Sequence, residues 1–429
     1  MREVVIVSGA RTAIGNFGGT LKDIPVVQLG TTAIHEAVKR AGIRPETGKE
    51  MLAFGPDKLK DERFIDIEKK HMKWDEKLKP VQIDEVIMGL VLFAGNRQNP
   101  ARLASVYAGL PKETPAFTIN KLCASGMKAI ALGAEAIMTD NADIVVAGGM
   151  ESMSTVPYSL PKARFGYRMD IDGHAEMNDL LLWDALLETF YDYHMGVTAE
   201  NIAAKYGITR KEQDELGLMS HNRARKAIAD GIFKEEIVPV VIPQKKGDPI
   251  TFAVDERPMD TSLEKMAKLA TMFKKDGTIT AGNASGVNDA AAAVVLMAAE
   301  KAKSLGIKPM AKITAFTSVS LNPAYMGLGP IPAVRKLLAK TGLKLSDFDN
   351  IEMNEAFAAQ AIGCIRELNV DMNKTNIHGS GISLGHPIGC TGARLVVTLM
   401  HEMKRSNLKR GLATLCVGGG QGMAIALER

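Results

Sequence analysis

Four short stretches of this chain set reactive or polar side chains beside glycines and small residues. "NKLCASGMKAI" places Cys123 between a strand-like segment, Pro115 to Asn120, and a small-residue run with helical spacing. A thiol at a strand-to-helix turn feels the positive end of the helix dipole, which favours the thiolate and hence nucleophilic chemistry. "MNEAFAAQ" puts Asn354 and Glu355 where the strand "IEM" gives way to a helix. "GSGISLGHPIGCTGAR" surrounds His386 with glycines, with Pro387 placed to open a helix. "LCVGGGQGM" carries Cys416 at a strand end that runs into Gly418, where the backbone can approach a ligand closely. Each residue alone has a plainer role: a small buried hydrophobe, a helix cap, a core histidine. Together they fall at strand ends and turns, where open α/β folds place their sites.

Such residues need strands that end in one place. Strand candidates are "EVVIVSG", "IDEVIMG", "AFTIN", "ADIVVAGG", "AAAVVLMA", "AKITAFTSV", "IEMN" and "LATLCVGGG". Helical spacing fills many gaps, including Pro25 to Ala41, Pro100 to Leu110, Ile331 to Thr341 and Gly392 to Arg405. The alternation predicts an α/β fold with mixed sheets covered by helices. There is also an internal echo. "IDEVIMG" followed by "ADIVVAGGMESM" has a counterpart in "FDNIEMNE" followed by "LATLCVGGGQGM", which points to duplicated halves. Between the echoed pieces, residues 153–288 are less regular, with a helical stretch from Arg210 to Asp230. Thr47 to Pro80, dense in Lys, Asp and Glu, predicts a surface helix in a solvated insertion.

Composition excludes several classes of function. The 429 residues are 24% charged and 46% hydrophobic with a net charge of +4, ordinary for a globular protein of two or three units. Acidic and basic residues interleave, so no nucleic-acid stripe is expected. The longest apolar run, Ala290 to Ala299, is too short to span a bilayer, so no membrane partner is expected. Cys123, Cys364, Cys390 and Cys416 are scattered, which predicts neither a disulfide framework nor a zinc site and fits a reducing cytoplasm. "REVVIVSGA" reads as a first core strand, not a secretory signal, and the final "LER" is no peroxisomal address.

The chain resembles the thiolases, acetyl-CoA C-acetyltransferases and 3-ketoacyl-CoA thiolases. The resemblance rests on "SGARTAIGNFGG", "QNPAR", "NKLCASGMKAI", "GGMESMS", "YHMGVTAENIA", "DGTITAGNASGVNDAAAAV", "NEAFAAQ", "GISLGHPIGCTGAR" and "LCVGGGQGMA", in family order over nearly the full length. It implies the thiolase fold: two duplicated βαβαβαββ halves, 1–153 with 289–310 and 311–429, around a loop domain at 154–288. It implies Cys123 as the acylated nucleophile, His386 as its activator and Cys416 as the acid/base for the α-proton. Asn354, through a water, and His386 would build one oxyanion hole; the N–H groups of Cys123 and Gly418 would build the other. His194, Ser285, Ala356 and Phe357 match positions lining the coenzyme A tunnel, and Met326 borders the acyl end. Acyl-CoA and coenzyme A would be substrates, with no separate cofactor or metal, and the protein would be a homodimer or homotetramer.

The chemistry of Claisen condensation asks for such a set. One acyl group must be held covalently while another thioester becomes a carbanion, and a thiolate exchanges with a thioester at nearly equal energy. Removing a weakly acidic α-proton needs a base and preorganised donors for the enolate.

The sequence departs from the family pattern in places. His378 stands where Asn is common and Ser380 where Gly is. Met259 replaces a basic residue, which leaves Arg257 as the neighbour that could meet coenzyme A phosphates. Cys390 and Cys364 read as structural. A ketoacyl synthase of the same fold would pair its cysteine with two histidines, and the Cys416 turn argues against that. A non-catalytic acyl-CoA binder should have lost one of the four reactive groups, and all four are present.

Overall fold

Asn288 and Asp289 followed by nine residues of Ala, Val, Leu and Met form one inner strand, and all eleven are buried. A run so apolar suits a strand covered on both faces. The computed structural model describes residues 1–60, 62, 64–169 and 173–429; the expected insertion and loop domain each run through a few positions outside that set. The main strands are β1 (Val4–Thr12), β2 (Glu85–Gly89), β3 (Ala116–Ile119), β4 (Ile144–Ser152), β5 (Asn288–Ala298), β6 (Ala311–Ser320), β7 (Asn350–Met353), β8 (Arg410–Val417) and β9 (Gln421–Glu428). Their order across one mixed sheet is β7-β8-β9-β6-β1-β5-β4-β2-β3.

The duplication is visible in this order. On one side β3 is parallel to β2, β2 is parallel to β4, β4 is antiparallel to β5, and β5 is antiparallel to β1. On the other, Thr375 makes a parallel bridge to Ile351 of β7. From there β7 is parallel to β8, β8 is antiparallel to β9, and β9 is antiparallel to β6. The halves join where β1 meets β6 antiparallel, through Val5–Lys312 and Ile6–Ala311.

The helices are α1 (Val26–Arg40), α2 (Pro100–Tyr107), α3 (Ser125–Met138), α4 (Met195–Tyr206), α5 (Arg210–Ala229), α6 (Pro330–Thr341), α7 (Ala358–Leu368) and α8 (Ile388–Arg405). Helix α1 covers β1, β4 and β5, while α6 covers β6, β8 and β9. Between the two strand sets lie α3 and α8, packed on each other; α8 touches β4 and β5 on one side and β7 and β8 on the other. Residues Ile388 to Met403 of α8 are all buried, as a helix enclosed between two sets of strands requires. Where they meet, a Cβ on Gly126 of α3 would come within 2.8 Å of the Ala393 nitrogen, so the close crossing depends on glycine. Cys390 in α8 and Cys364 in α7 are buried, and burial pushes both thiols up to about 12.

Three elements differ from the sequence expectation. Strand β9 follows the triple glycine, where the apolar alternation of "MAIALE" was masked by the glycine-rich entry. Helix α8 begins at Ile388, directly after Pro387 as that residue's placement implied, and so four residues before the helical spacing that starts at Gly392. Thr47 to Pro80 is not one surface helix. It holds short helices at Lys49–Ala53 and Asp66–His71, and Lys79–Val81 pairs in parallel with Ile43–Pro45. Its second part is docked: buried Glu68 accepts from the Ile65 and Lys112 N–H groups at 2.9 and 2.6 Å. Trp74 Nε1 donates to the Gly109 carbonyl at 2.8 Å, and its ring stacks on His35.

The region between the halves is stitched to β1. Ile237–Val238 pairs with Arg11 and Thr12, and the buried Arg11 guanidinium binds Glu236 at 2.6 Å and Asp255 at 2.7 Å. Among the described residues, no helix is long and apolar enough to cross a membrane.

Candidate active site

A cavity of about 300 Å³ opens where the ends of both strand sets meet the intervening region. Cys123, His386 and Gly418 line it, with His194, Ser285, Ala356, Phe357 and Met326 on its wall. Asn354 and Cys416 are fully buried and lie behind that wall. Eight of the ten expected residues thus face one space, and the other two stand next to it.

Cys123 follows β3 by four residues and precedes α3 by two. The turn is built by side chains folded onto its own backbone. Asn120 Oδ1 accepts from the Leu122 N–H at 2.8 Å. Ser125 Oγ accepts from the Lys121 N–H at 2.8 Å and donates to the Leu122 carbonyl at 2.7 Å. Leu122 is held at φ 47°, a left-handed conformation costly for a branched side chain and typical of sites where geometry outranks comfort. The Cys123 thiol receives the N–H of Gly418 and its own N–H, which favour the thiolate, yet burial outweighs them and pushes it up to about 11. At rest it is therefore a thiol that needs a base.

His386 lines the same cavity. Its Nδ1 lies 2.7 Å from Thr391 Oγ1, and that hydroxyl donates its single proton to the Pro387 carbonyl at 2.9 Å. Thr391 must then accept, which puts the ring proton on Nδ1 and leaves a lone pair on Nε2. Nε2 is buried and has no hydrogen-bond partner among the described residues. Burial, with a lesser contribution from Arg394, depresses this imidazole to about 3, so it is neutral at pH 7. The main-chain N–H of His386 donates to Asn288 Oδ1 at 3.0 Å, which fixes the loop to the start of β5. Asn354 Nδ2 stands 3.4 Å from His386 Nδ1, and Asn354 Oδ1 lacks a protein partner.

Cys416, near the end of β8, is raised well above the ordinary thiol range, by burial first and then by its neighbour Cys123. Beyond it the chain turns through Gly418, Gly419 and Gly420, the last two at φ 69° and 74°. A Cβ on Gly420 would meet the Leu321 carbonyl oxygen at 2.3 Å, so the turn cannot take a side chain there.

Sequence reasoning passed over three supports. Glu151 of β4 is buried and accepts from the N–H groups of Gly389, Val91 and Leu92 at 2.8, 3.1 and 3.3 Å. Burial pushes its carboxyl up to about 7, and its charge acts on Cys123. Thr391 sets the imidazole tautomer, and Lys121 reaches Gln421 across the halves. The signal for Glu151 was an acid inside an apolar strand, since such a residue is rarely buried without partners. Arg257 is corrected. Its guanidinium donates to the carbonyls of Ile382, Ala284 and Ala281 at 2.8, 2.9 and 3.3 Å, so it braces the cavity wall and is not a free phosphate ligand. His378 turns away to Glu402 at 2.7 Å, and Ser380 Oγ donates to the Met353 carbonyl at 3.0 Å, so neither substitution disturbs the cavity.

The chain matches two family models, "Thiolase, N-terminal domain" over residues 4–56 and 57–300 and "Thiolase, C-terminal domain" over 307–429. It is 51% identical over 429 residues to an acetyl-CoA acetyltransferase of Syntrophomonas wolfei, covering 100% of this chain and 99% of that one. It is 49% identical over 428 residues to the acetyl-CoA acetyltransferase of Chromobacterium violaceum, covering 100% of both. In structure it is similar to the crystal structure of the Bacillus anthracis acetyl-CoA acetyltransferase, with a TM-score of 0.88, 42% identity, and 100% and 99% of the two chains covered.

Proposed function

The chain belongs to the thiolase family, and from that premise we propose that its acyl group is carried by Cys123 and its α-proton handled by Cys416. It is an acyltransferase that condenses two acyl-CoA thioesters, acetyl-CoA to acetoacetyl-CoA plus coenzyme A, and runs the same step in reverse as thiolysis of a 3-ketoacyl-CoA. One observation carries the assignment of roles: the Cys123 thiol receives N–H groups from both halves in the cavity that His386 also lines.

In the first step His386 Nε2 takes the Cys123 proton and the sulfur attacks the thioester carbonyl. The oxyanion that forms lies between the N–H groups of Cys123 and Gly418, in a site shielded from water where such donors act most strongly. The carbon–sulfur bond to coenzyme A breaks, and the departing sulfur takes a proton from Cys416. That leaves Cys416 as a thiolate whose high proton affinity suits a weakly acidic α-carbon. A second acetyl-CoA enters, gives its α-proton to Cys416, and its enolate oxygen accepts from the protonated His386 Nε2 and from a water whose other proton goes to Asn354 Oδ1. The carbanion attacks the acyl-Cys123 carbonyl, the new carbon–carbon bond forms, and the Cys123 sulfur leaves and recovers its proton from His386. The unpartnered Asn354 Oδ1 and His386 Nε2 are the polar atoms this scheme requires to be free.

His194, Ser285, Ala356, Phe357 and Met326 form the wall along which this reading runs the substrate. The same reading divides the chain at 1–153 with 289–310, 154–288 and 311–429. It takes the protein as a cytoplasmic homodimer or homotetramer with no cofactor beyond its coenzyme A substrates. The test is incubation with acetyl-CoA followed by peptide mass analysis. One acetyl group on the peptide carrying Cys123 is expected, and acetyl found only elsewhere refutes the assignment.

A further inference from the structure

The oxyanion site described above is made of two N–H groups that belong to different halves of the molecule. On the Cys123 side, Asn120 and Ser125 brace the turn, but both are its own neighbours. On the Gly418 side, Glu188 accepts from the Gly419 N–H at 3.1 Å and Leu321 donates its N–H to the Gly420 carbonyl at 2.7 Å. Neither set of contacts fixes the distance from one turn to the other. Lys121 does reach across. Its ammonium donates to Gln421 Oε1 at 2.6 Å, joining residues 300 positions apart. Lys121 is two residues before the nucleophile, and Gln421 pairs with Val417 where the glycine turn closes onto β9. Apart from the Cys123 thiol's own contact with the Gly418 N–H, this is the one side-chain bond between the two turns among the described residues, and both partners are half-buried. A charged donor to a carbonyl-type oxygen is among the stronger hydrogen bonds, and partial burial shields it from competing water.

We propose that Lys121 and Gln421 are a positioning pair that holds the Cys123 turn and the Gly418–Gly420 turn at the spacing two N–H groups need to share one oxyanion. The inference rests on the roles given above to Cys123 and Gly418. The pair touches no reacting atom. Its loss loosens the spacing, and a displacement of an ångström at a reacting centre can cost roughly 10²-fold. Because the Gly418 N–H also stabilises the Cys123 thiolate, loosening should raise the pH at which Cys123 becomes reactive.

The experiment compares wild type with Gln421→Met, Gln421→Glu, Lys121→Met and the double Lys121→Met/Gln421→Met. Three things are read: single-turnover acetylation of Cys123 by acetyl-CoA, KM for acetyl-CoA, and the pH profile of Cys123 alkylation by iodoacetamide. Gln421→Met should slow acetylation about tenfold with KM little changed and move the alkylation profile to higher pH, while Gln421→Glu, which keeps an acceptor, should recover most of the rate. Lys121→Met reads the same contact from its other end, and the double variant should be no slower than either single, as expected of residues acting as one unit. Wild-type rate and profile in Gln421→Met, or single defects that multiply in the double, would overturn the proposal. A wild-type protein that never acetylates Cys123 would overturn the parent reading and this one with it; a defect confined to the variants bears on the pair alone.

Discussion

The duplicated halves place different residues at the same point of the fold. In the first half β4 is paired with β2 up to Gly149 opposite Gly89, and two residues later comes Glu151. In the second half β8 is paired with β7 up to Thr414 opposite Met353, and two residues later comes Cys416. Both side chains are buried at a strand end beside the Cys123 turn. Glu151 is saturated by three backbone N–H groups, whereas burial and the neighbouring thiol of Cys123 hold Cys416 in its protonated form. One position is a clamp, and the other is the acid–base group of the proposed scheme. Position in a fold does not assign a role; what each side chain is bonded to does.

The largest effect expected is at Cys123, the proposed nucleophile that both adjoin. Cys123→Ser should cut turnover by about 10⁴-fold or more, the order lost when a covalent nucleophile is removed, and should abolish exchange of labelled coenzyme A into acetyl-CoA as well. Cys416→Ser should come next, with condensation and thiolysis down roughly 10²–10⁴-fold, the worth of a general acid–base group. Exchange through acyl-Cys123 should survive in part, because the first step is then limited only by how the leaving sulfur is protonated. If the two variants lose exchange equally while folded, the separation of roles fails.

Glu151→Gln tests the other side of the comparison. A clamp should matter equally to both half-reactions, so exchange and turnover should fall together, by about tenfold, while the loss of a buried acceptor lowers stability by about 1–3 kcal/mol in urea unfolding. A variant that slows one half-reaction alone would make Glu151 a participant in the chemistry.

The smallest effect is in the response to acid. The His386 imidazole lies at about 3 in the fold against 6.5 for a free histidine. Between those values the unfolded chain binds the extra proton, so stability rises with pH across that window and is lost as pH falls below 6.5. His221, held at about 4 by burial and Arg257, acts in the same direction. His386→Gln should flatten the slope of unfolding free energy between pH 6 and 4.5 by up to about 1.36 kcal/mol per pH unit, one proton's worth. An unchanged slope would mean that His386 is already protonated in the native state.

Much of this was legible in the letters. The eight strand candidates each became a strand, because Val- and Ile-rich runs bounded by glycine leave few alternatives. Cys123, His386 and Gly418 were legible for a different reason: thiol, imidazole and glycine at strand ends are unusual neighbours, and the resemblance ordered them. What stayed hidden was pairwise and distant. Nothing in Lys121 names Gln421, and nothing in Arg257 says that three carbonyls will claim its guanidinium before a phosphate can. The docking of residues 66–81 was missed because a charge-rich stretch looks solvated until Glu68 and Trp74 are seen to face inward.

The place of β5 has a consequence for how the chain reaches this state. It lies between β1 and β4, yet it is made only after the whole intervening region, with residue 288 as its first. A chain emerging from the ribosome therefore carries β1 and β4 with their facing edges unpaired while more than a hundred further residues are synthesised. Such non-local pairing slows folding, and open apolar edges are where chains associate wrongly. A truncated chain that stops before Asn288 should be aggregation-prone in spite of holding Cys123 and its turn. The same ordering delays the enclosure of α8 until the last strands exist, so Cys123 is synthesised long before the cavity around it is closed.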